Sequence, residues 1–174
     1  GISEIIDEGM KLPHTTMRSP YGPDTLCLEI CGKQFALFDL SAEWDFYNVK
    51  SVPELSFRLR DRHITINPAF HMNKTHWNSV DIHSFPIHVH AAILRHAYMQ
   101  TLKGLPKKTR IALFGSLEEF EHQYSASILR LESILLDIME DHILNDHNKQ
   151  EYPPMHTAEH IVNGEMARRL SLIH

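Results

Sequence analysis

Three groups of residues have types and spacings that could do chemistry. The first is His156-Thr157-Ala158-Glu159-His160 near the end of the 174-residue chain. Histidines four apart on a helix project from one face, which is a geometry that binds Zn²⁺. Zinc at His156 and His160 is the one cofactor these residues could hold, and none is firmly indicated. Structural sites use four protein ligands and catalytic sites three plus water. After His160 the chain has fourteen residues, no cysteine and only His174. Glu159 does not have the H-E-x-x-H spacing of a metalloprotease. His142 or His147 could donate, but their spacing does not place them. The same pattern also occurs on an ordinary solvated helix face.

The second group is basic: Arg58, Arg60, Arg62, Lys74, Lys103, Lys107, Lys108 and Arg110. Arg58 and Arg62 share a helix face, and Lys107, Lys108 and Arg110 are expected to follow a helix end. Of these, Arg58, Arg62, Lys74, Lys107, Lys108 and Arg110 could contact phosphates, which supply affinity without sequence information. Acids are interleaved among them and the pI is near 6.3, well below that of a dedicated nucleic-acid binder. The third group, His71, Asn73, His76, Trp77 and Asn78, is the densest polar–aromatic cluster. It could stack a base on Trp77. The composition favours a structural role, with Asn and His satisfying a turn and Trp77 filling the core. No nucleophile elbow, phosphate-binding loop or dinucleotide fingerprint is present. Glu118-Glu119 is explained by the helix dipole, so nothing outside the histidine pair supports an enzyme.

These residues must be positioned by a mixture of strands and helices. Residues 3–12 read as a short amphipathic helix stopped by Pro13. Three strand-like runs follow: Thr25–Cys31, Gln34–Leu40 after the hairpin signal Gly32-Lys33, and Trp44–Lys50. Ser51-Val52-Pro53-Glu54 has the spacing of a capping box opening a helix over Pro53–Arg62. Short strands are expected at Ile64–Ile66 and His76–Ile82, then a helix over Pro86–Lys103 ended by Gly104 and Pro106. The order predicted is α–β–β–β–α–β–β–α, ending near Arg110. Beyond it, Ser116-x-x-Glu119 opens a long apolar stripe over Leu117–Leu144, roughly 40 Å of helix. That stripe must pack on its own domain or form a homodimer interface. A last helix is expected from His156 to about Leu172.

Charge divides the chain unevenly. Residues 1–110 carry 13 Lys and Arg against 11 Asp and Glu, whereas residues 111–174 carry 4 against 11. A mildly positive first part is compatible with a polyanionic partner, and the acidic remainder would repel one. With 43% hydrophobic residues the composition is that of an ordinary globular protein. No apolar run approaches the ~20 residues of a membrane helix, so no membrane partner is expected. Cys27 and Cys31, four apart on one predicted strand, read as free thiols of a reducing cytoplasm.

The blocks Ser19–Phe38 (SPYGPDTLCLEICGKQFALF), Pro68–Ile82 (PAFHMNKTHWNSVDI) and Leu105–Arg110 (LPKKTR) together resemble the MmcQ/YjbR family. Those are small bacterial α+β domains described as DNA-binding. The resemblance covers the first two thirds of the chain. It implies an antiparallel sheet with flanking helices, of the CyaY-like double-wing type, whose wing-like loops bind DNA. The remaining third, residues 111–174, would be a helical extension of the 1–110 domain. His156-Thr157-Ala158-Glu159-His160 separately resembles the start of the editing domain of alanyl-tRNA synthetases. There, such a pair joins a later C-x-x-x-H pair on one zinc, and that second pair is missing here. The expected function is therefore a non-enzymatic nucleic-acid-binding module, DNA first and tRNA second. The alternatives are an editing-related protein with an incomplete zinc site and a helix-mediated dimeric interaction protein.

Overall fold

A computed structural model describes residues 1–41, 45–69 and 72–137. The expected α+β class is found. The elements, in order, are α1 (Ile2–Met10), β1 (Thr15–Arg18), β2 (Thr25–Ile30), β3 (Lys33–Asp39), β4 (Phe46–Lys50) and α2 (Pro53–Arg62). Then come β5 (Ile66–Pro68), β6 (Trp77–Asp81), α3 (Ile87–Lys103), α4 (Lys107–Phe114) and α5 (Leu117–Leu131). A π-helical turn, Glu132–Asp137, continues from α5. The six strands form one antiparallel sheet in the order β1-β2-β3-β4-β6-β5.

Period-two alternation gives the sheet an apolar face. Leu28, Ala36, Phe38, Tyr47, Val49, Val80 and Ile66 follow one another across it in register and are all buried. Phe38 and Tyr47, cross-strand neighbours, stack with centroids 5.0 Å apart. The helix α3 lies over β2, β3 and β4, and α1 and α5 pack against it. Phe120, Leu131, Leu135 and Leu136 belong to the same core as the strands. Much of the apolar stripe that opened at Leu117 is therefore buried within the chain, although Leu129 remains 66% exposed.

Several local expectations are corrected. The strand β1 was missed: only Thr15 of its four residues is buried, so it has no alternating pattern to read. Cys31 leaves the strand. It and Gly32 are the two residues between the paired Ile30 and Lys33, with φ of 50° and 77°. Positive φ at both positions is the pattern of a type I′ hairpin turn. Cys27 is thus buried and Cys31 exposed, and both are free thiols. No capping box forms at Ser51. The helix spans Pro53–Arg62 as expected, but its N-cap is Val52, and the Ser51 hydroxyl lies 3.4 Å from His96 Nε2 instead. The short strand expected at 64–66 forms at Ile66–Pro68, its register set by pairing with β6. Lys107, Lys108 and Arg110 follow the end of α3, as expected, but themselves form a further helix, α4, which begins after Pro106. Proline fits there because the first N–H groups of a helix have no partner anyway. Gly115, at φ 90°, ends α4, and the Ser116 hydroxyl accepts the Glu119 N–H at 3.0 Å, as its box predicts.

The stripe 117–144 is α-helical to Leu131, and its part beyond Asp137 lies outside the described residues. So do His142, His147, the pair His156 and His160, and the final helix. Among the described residues no helix is long and apolar enough to cross a membrane. No group of three or more His, Cys, Asp or Glu among them could hold a metal.

Candidate nucleic-acid interface

Strand register sorts charge along the sheet. At one end β3 starts with Lys33 and β4 finishes with Lys50, which pairs with Trp77 at the start of β6. The loop carrying Lys74 enters β6 at that same end. At the opposite end lie Asp39, closing β3, Asp81, closing β6, and Asp24 and Asp45, just ahead of β2 and β4. Antiparallel strands put the start of one beside the finish of the next, so residues far apart in sequence collect by sign at each end.

The cationic end is built around Trp77. Its ring is 7% exposed and the Lys50 ammonium sits 5.6 Å from its centroid. Partial burial and the nearby Lys33 charge hold the Lys50 pKa below its ordinary value. Trp77 is thus packed, not offered as an open stacking platform. Arg60 secures the loop beside it. Its Nε donates to Asn78 Oδ1 at 2.6 Å, and its terminal nitrogen donates to the Trp77 carbonyl at 3.0 Å and to the Lys74 carbonyl. A planar fork meeting three acceptors suits guanidinium and not ammonium. Asn73 closes the turn, its Oδ1 accepting the Thr75 N–H and its carbonyl the N–H groups of His76 and Trp77. The His76 carbonyl accepts the Ser51 N–H at 2.8 Å, joining the loop to the end of β4. Lys33 and Lys74 are exposed. Glu29, the buried acid near this end, is taken by Arg18 at 2.7 Å.

Other predicted contacts lie elsewhere. Arg58 is exposed but ion-paired with Glu132 at 2.8 Å. Arg62 is exposed at the end of α2, an element that packs on β5 and the π-helical turn. Lys107 and Lys108 are exposed in the first turn of α4, which packs on α5. The Arg110 guanidinium lies over the Phe120 ring, 5.2 Å from its centroid, and 3.8 Å from Glu121. Of the polar–aromatic cluster, the structure joins Asn73, His76, Trp77 and Asn78 around Arg60, while His71 lies outside the described residues. Sequence reasoning passed over Lys33 and Lys50, whose nearness follows from pairing alone. Arg60, a member of the basic group without a phosphate role assigned to it, turns its fork inward onto the loop.

A meander-built antiparallel sheet carrying one long helix across it, with this loop folded on an arginine, defines a small α+β domain class. The YjbR family model matches residues 10–100, and the chain belongs to that family. It is 37% identical over 71 residues to the uncharacterised protein YbdF of Escherichia coli, covering 41% of this chain and 58% of that one. It is 38% identical over 69 residues to the uncharacterised protein YyaQ of Bacillus subtilis, covering 40% of this chain and 54% of that one. The chain therefore spans a little over half the length of these relatives. A crystal structure of a Deinococcus radiodurans protein with a DUF419 domain superposes with a TM-score of 0.58 at 28% identity, over 64% of this chain and 86% of that one. A Pseudomonas syringae protein superposes with a TM-score of 0.50 at 26% identity, over 58% and 98%.

Proposed function

We propose that this protein is a non-enzymatic nucleic-acid-binding module that uses the Lys33–Lys50–Lys74 end of its sheet to contact phosphates, with duplex DNA the preferred partner. The observation that carries this reading is the separation of charge along the strands. A polyanion would be drawn to the lysine end and turned away from the end bearing Asp24, Asp39, Asp45 and Asp81. Such contacts give affinity and orientation without base readout. An interface of this size implies weak, strongly salt-dependent binding.

The test is fluorescence anisotropy of a labelled duplex across a salt series, with tRNA as competitor. About three phosphate contacts predict a log–log salt slope near −3. Replacing Lys33 and Lys74 together by alanine should flatten that slope by about two. Asp45→Ala at the far end should leave it unchanged. Absence of binding at low salt, or a slope that the double variant does not change, would overturn the proposal. Preferential capture of tRNA would redirect it to RNA.

A further inference from the structure

A groove of about 550 Å³ runs over α3 between α1 and α5, on the helical side of the molecule. Its floor is short-chained: Ala91 and Ala92 on α3 and Ala126 on α5 cannot fill the space between the neighbouring helices. Ile87, 39% exposed, adds an apolar wall. The volume lies in the range of small-molecule sites, typically ~300–1,000 Å³.

Of the three Lys, Arg, Asp or Glu side chains that line the groove, two are arginines. Arg95 and Arg130 both line the groove. The guanidinium of Arg95 donates to the neutral Gln123 amide oxygen at 3.0 Å, and Arg130 has no acidic partner among the described residues. The lining acid, Glu8, is already engaged by Lys11 at 2.7 Å. The groove also reaches the first turn of α3 at Ile87 and His88, where Pro86 is the N-cap and no side chain caps the helix. Backbone N–H groups of a first turn add partial positive charge. Two arginines that have no acid partner among the described residues, one on each of two helices, therefore border a trough floored by alanines.

We propose that this groove binds a small organic anion whose apolar body lies along Ala91, Ala92 and Ala126 and whose carboxylate or phosphate head is held by Arg95 and Arg130. Forked guanidinium groups suit either head group. This site is independent of the lysine end of the sheet.

The experiment is amide chemical-shift titration of the full chain with hexanoate, hexyl phosphate and, as the uncharged counterpart, hexanol. The expected result is saturable shifts centred on Ala91, Ala92 and Ala126 with at least one anion, and binding of hexanol at least about tenfold weaker. Replacing Arg95 and Arg130 together by methionine should weaken the anion about tenfold or more, as expected for lost charge-assisted hydrogen bonds. Ala126→Trp, at an exposed position where the larger ring fills the trough without entering the core, should abolish binding while circular dichroism stays unchanged. Whichever anion binds more tightly identifies the head group as carboxylate or phosphate. Equal affinity for hexanol, no shifts at millimolar anion, or undiminished binding by Ala126→Trp would overturn the proposal.

Discussion

Acid should destabilise this protein through His96. The ring sits on α3 with 1% of its surface exposed. Its Nε2 accepts the Val52 backbone N–H at 3.2 Å and lies 3.4 Å from the Ser51 hydroxyl, while Nδ1 lies 3.5 Å from the Ser127 hydroxyl. A nitrogen that accepts a backbone N–H carries no proton, so the folded protein needs this ring neutral. Burial holds its pKa down to about 4, against 6.5 when free. The folded pKa is depressed, so its stabilising share is fully present above about pH 6.5 and is lost as pH falls toward 4. Each pH unit in that window costs about 1.4 kcal/mol, which gives about 2 kcal/mol by pH 5 and about 3 kcal/mol by pH 4. Burial also lowers His63 and His90, whose ring nitrogens lie against the Leu135 and Ile82 carbonyls, so they act with the same sign. The assay is urea denaturation followed by tryptophan fluorescence at about pH 7.5 and pH 5. His96→Gln keeps an acceptor for the Val52 N–H and cannot titrate. It should be less stable than the parent at neutral pH but lose about 2 kcal/mol less on acidification. An equal loss in both proteins would refute the reasoning and place the acid sensitivity elsewhere.

Two further outcomes follow from single side chains. Arg60→Lys should lower stability by about 2–3 kcal/mol, because one ammonium cannot serve Asn78 Oδ1 and the Trp77 and Lys74 carbonyls together. A melting temperature within a degree of the parent would contradict this. Cys31→Asn should raise stability by about 0.5–1 kcal/mol, since asparagine tolerates the positive φ of 50° that cysteine is forced to adopt before Gly32. Chemical denaturation checks the sign, and a loss of stability would show that Cys31 is held by more than its turn.

The comparison of sequence with structure separates two kinds of information. The strand-like runs expected at Thr25–Cys31 and Gln34–Leu40, Ser116 three residues before Glu119, and Gly104 before Pro106 are all local signals. Each operates within a few residues, and each element appears in the structure within a residue of where the pattern places it. The family was likewise legible, because its motifs lie in continuous blocks, and two of the three, Ser19–Phe38 and Pro68–Ile82, fall within the matched residues 10–100. Elements with weak local patterns were not legible: β1, exposed on three of four residues, exists because β2 offers it a partner. The Ser51 box failed because a tertiary partner, His96 from α3, lies against the hydroxyl that would have capped the helix.

What the chain determined by itself is its class, its main helices and strands, and which residues are charged. Which charges meet was decided only by folding. Lys33, Lys50 and Lys74 come to one sheet end through antiparallel register, Arg58 is taken by Glu132, and Arg60 turns inward onto the Trp77 loop. Arg95 and Arg130 border one groove because α5 packs across α3. The physical reason is range. Backbone preference and hydrophobic period act over a few residues, whereas pairing of charges and shaping of a groove depend on contacts between segments tens of residues apart.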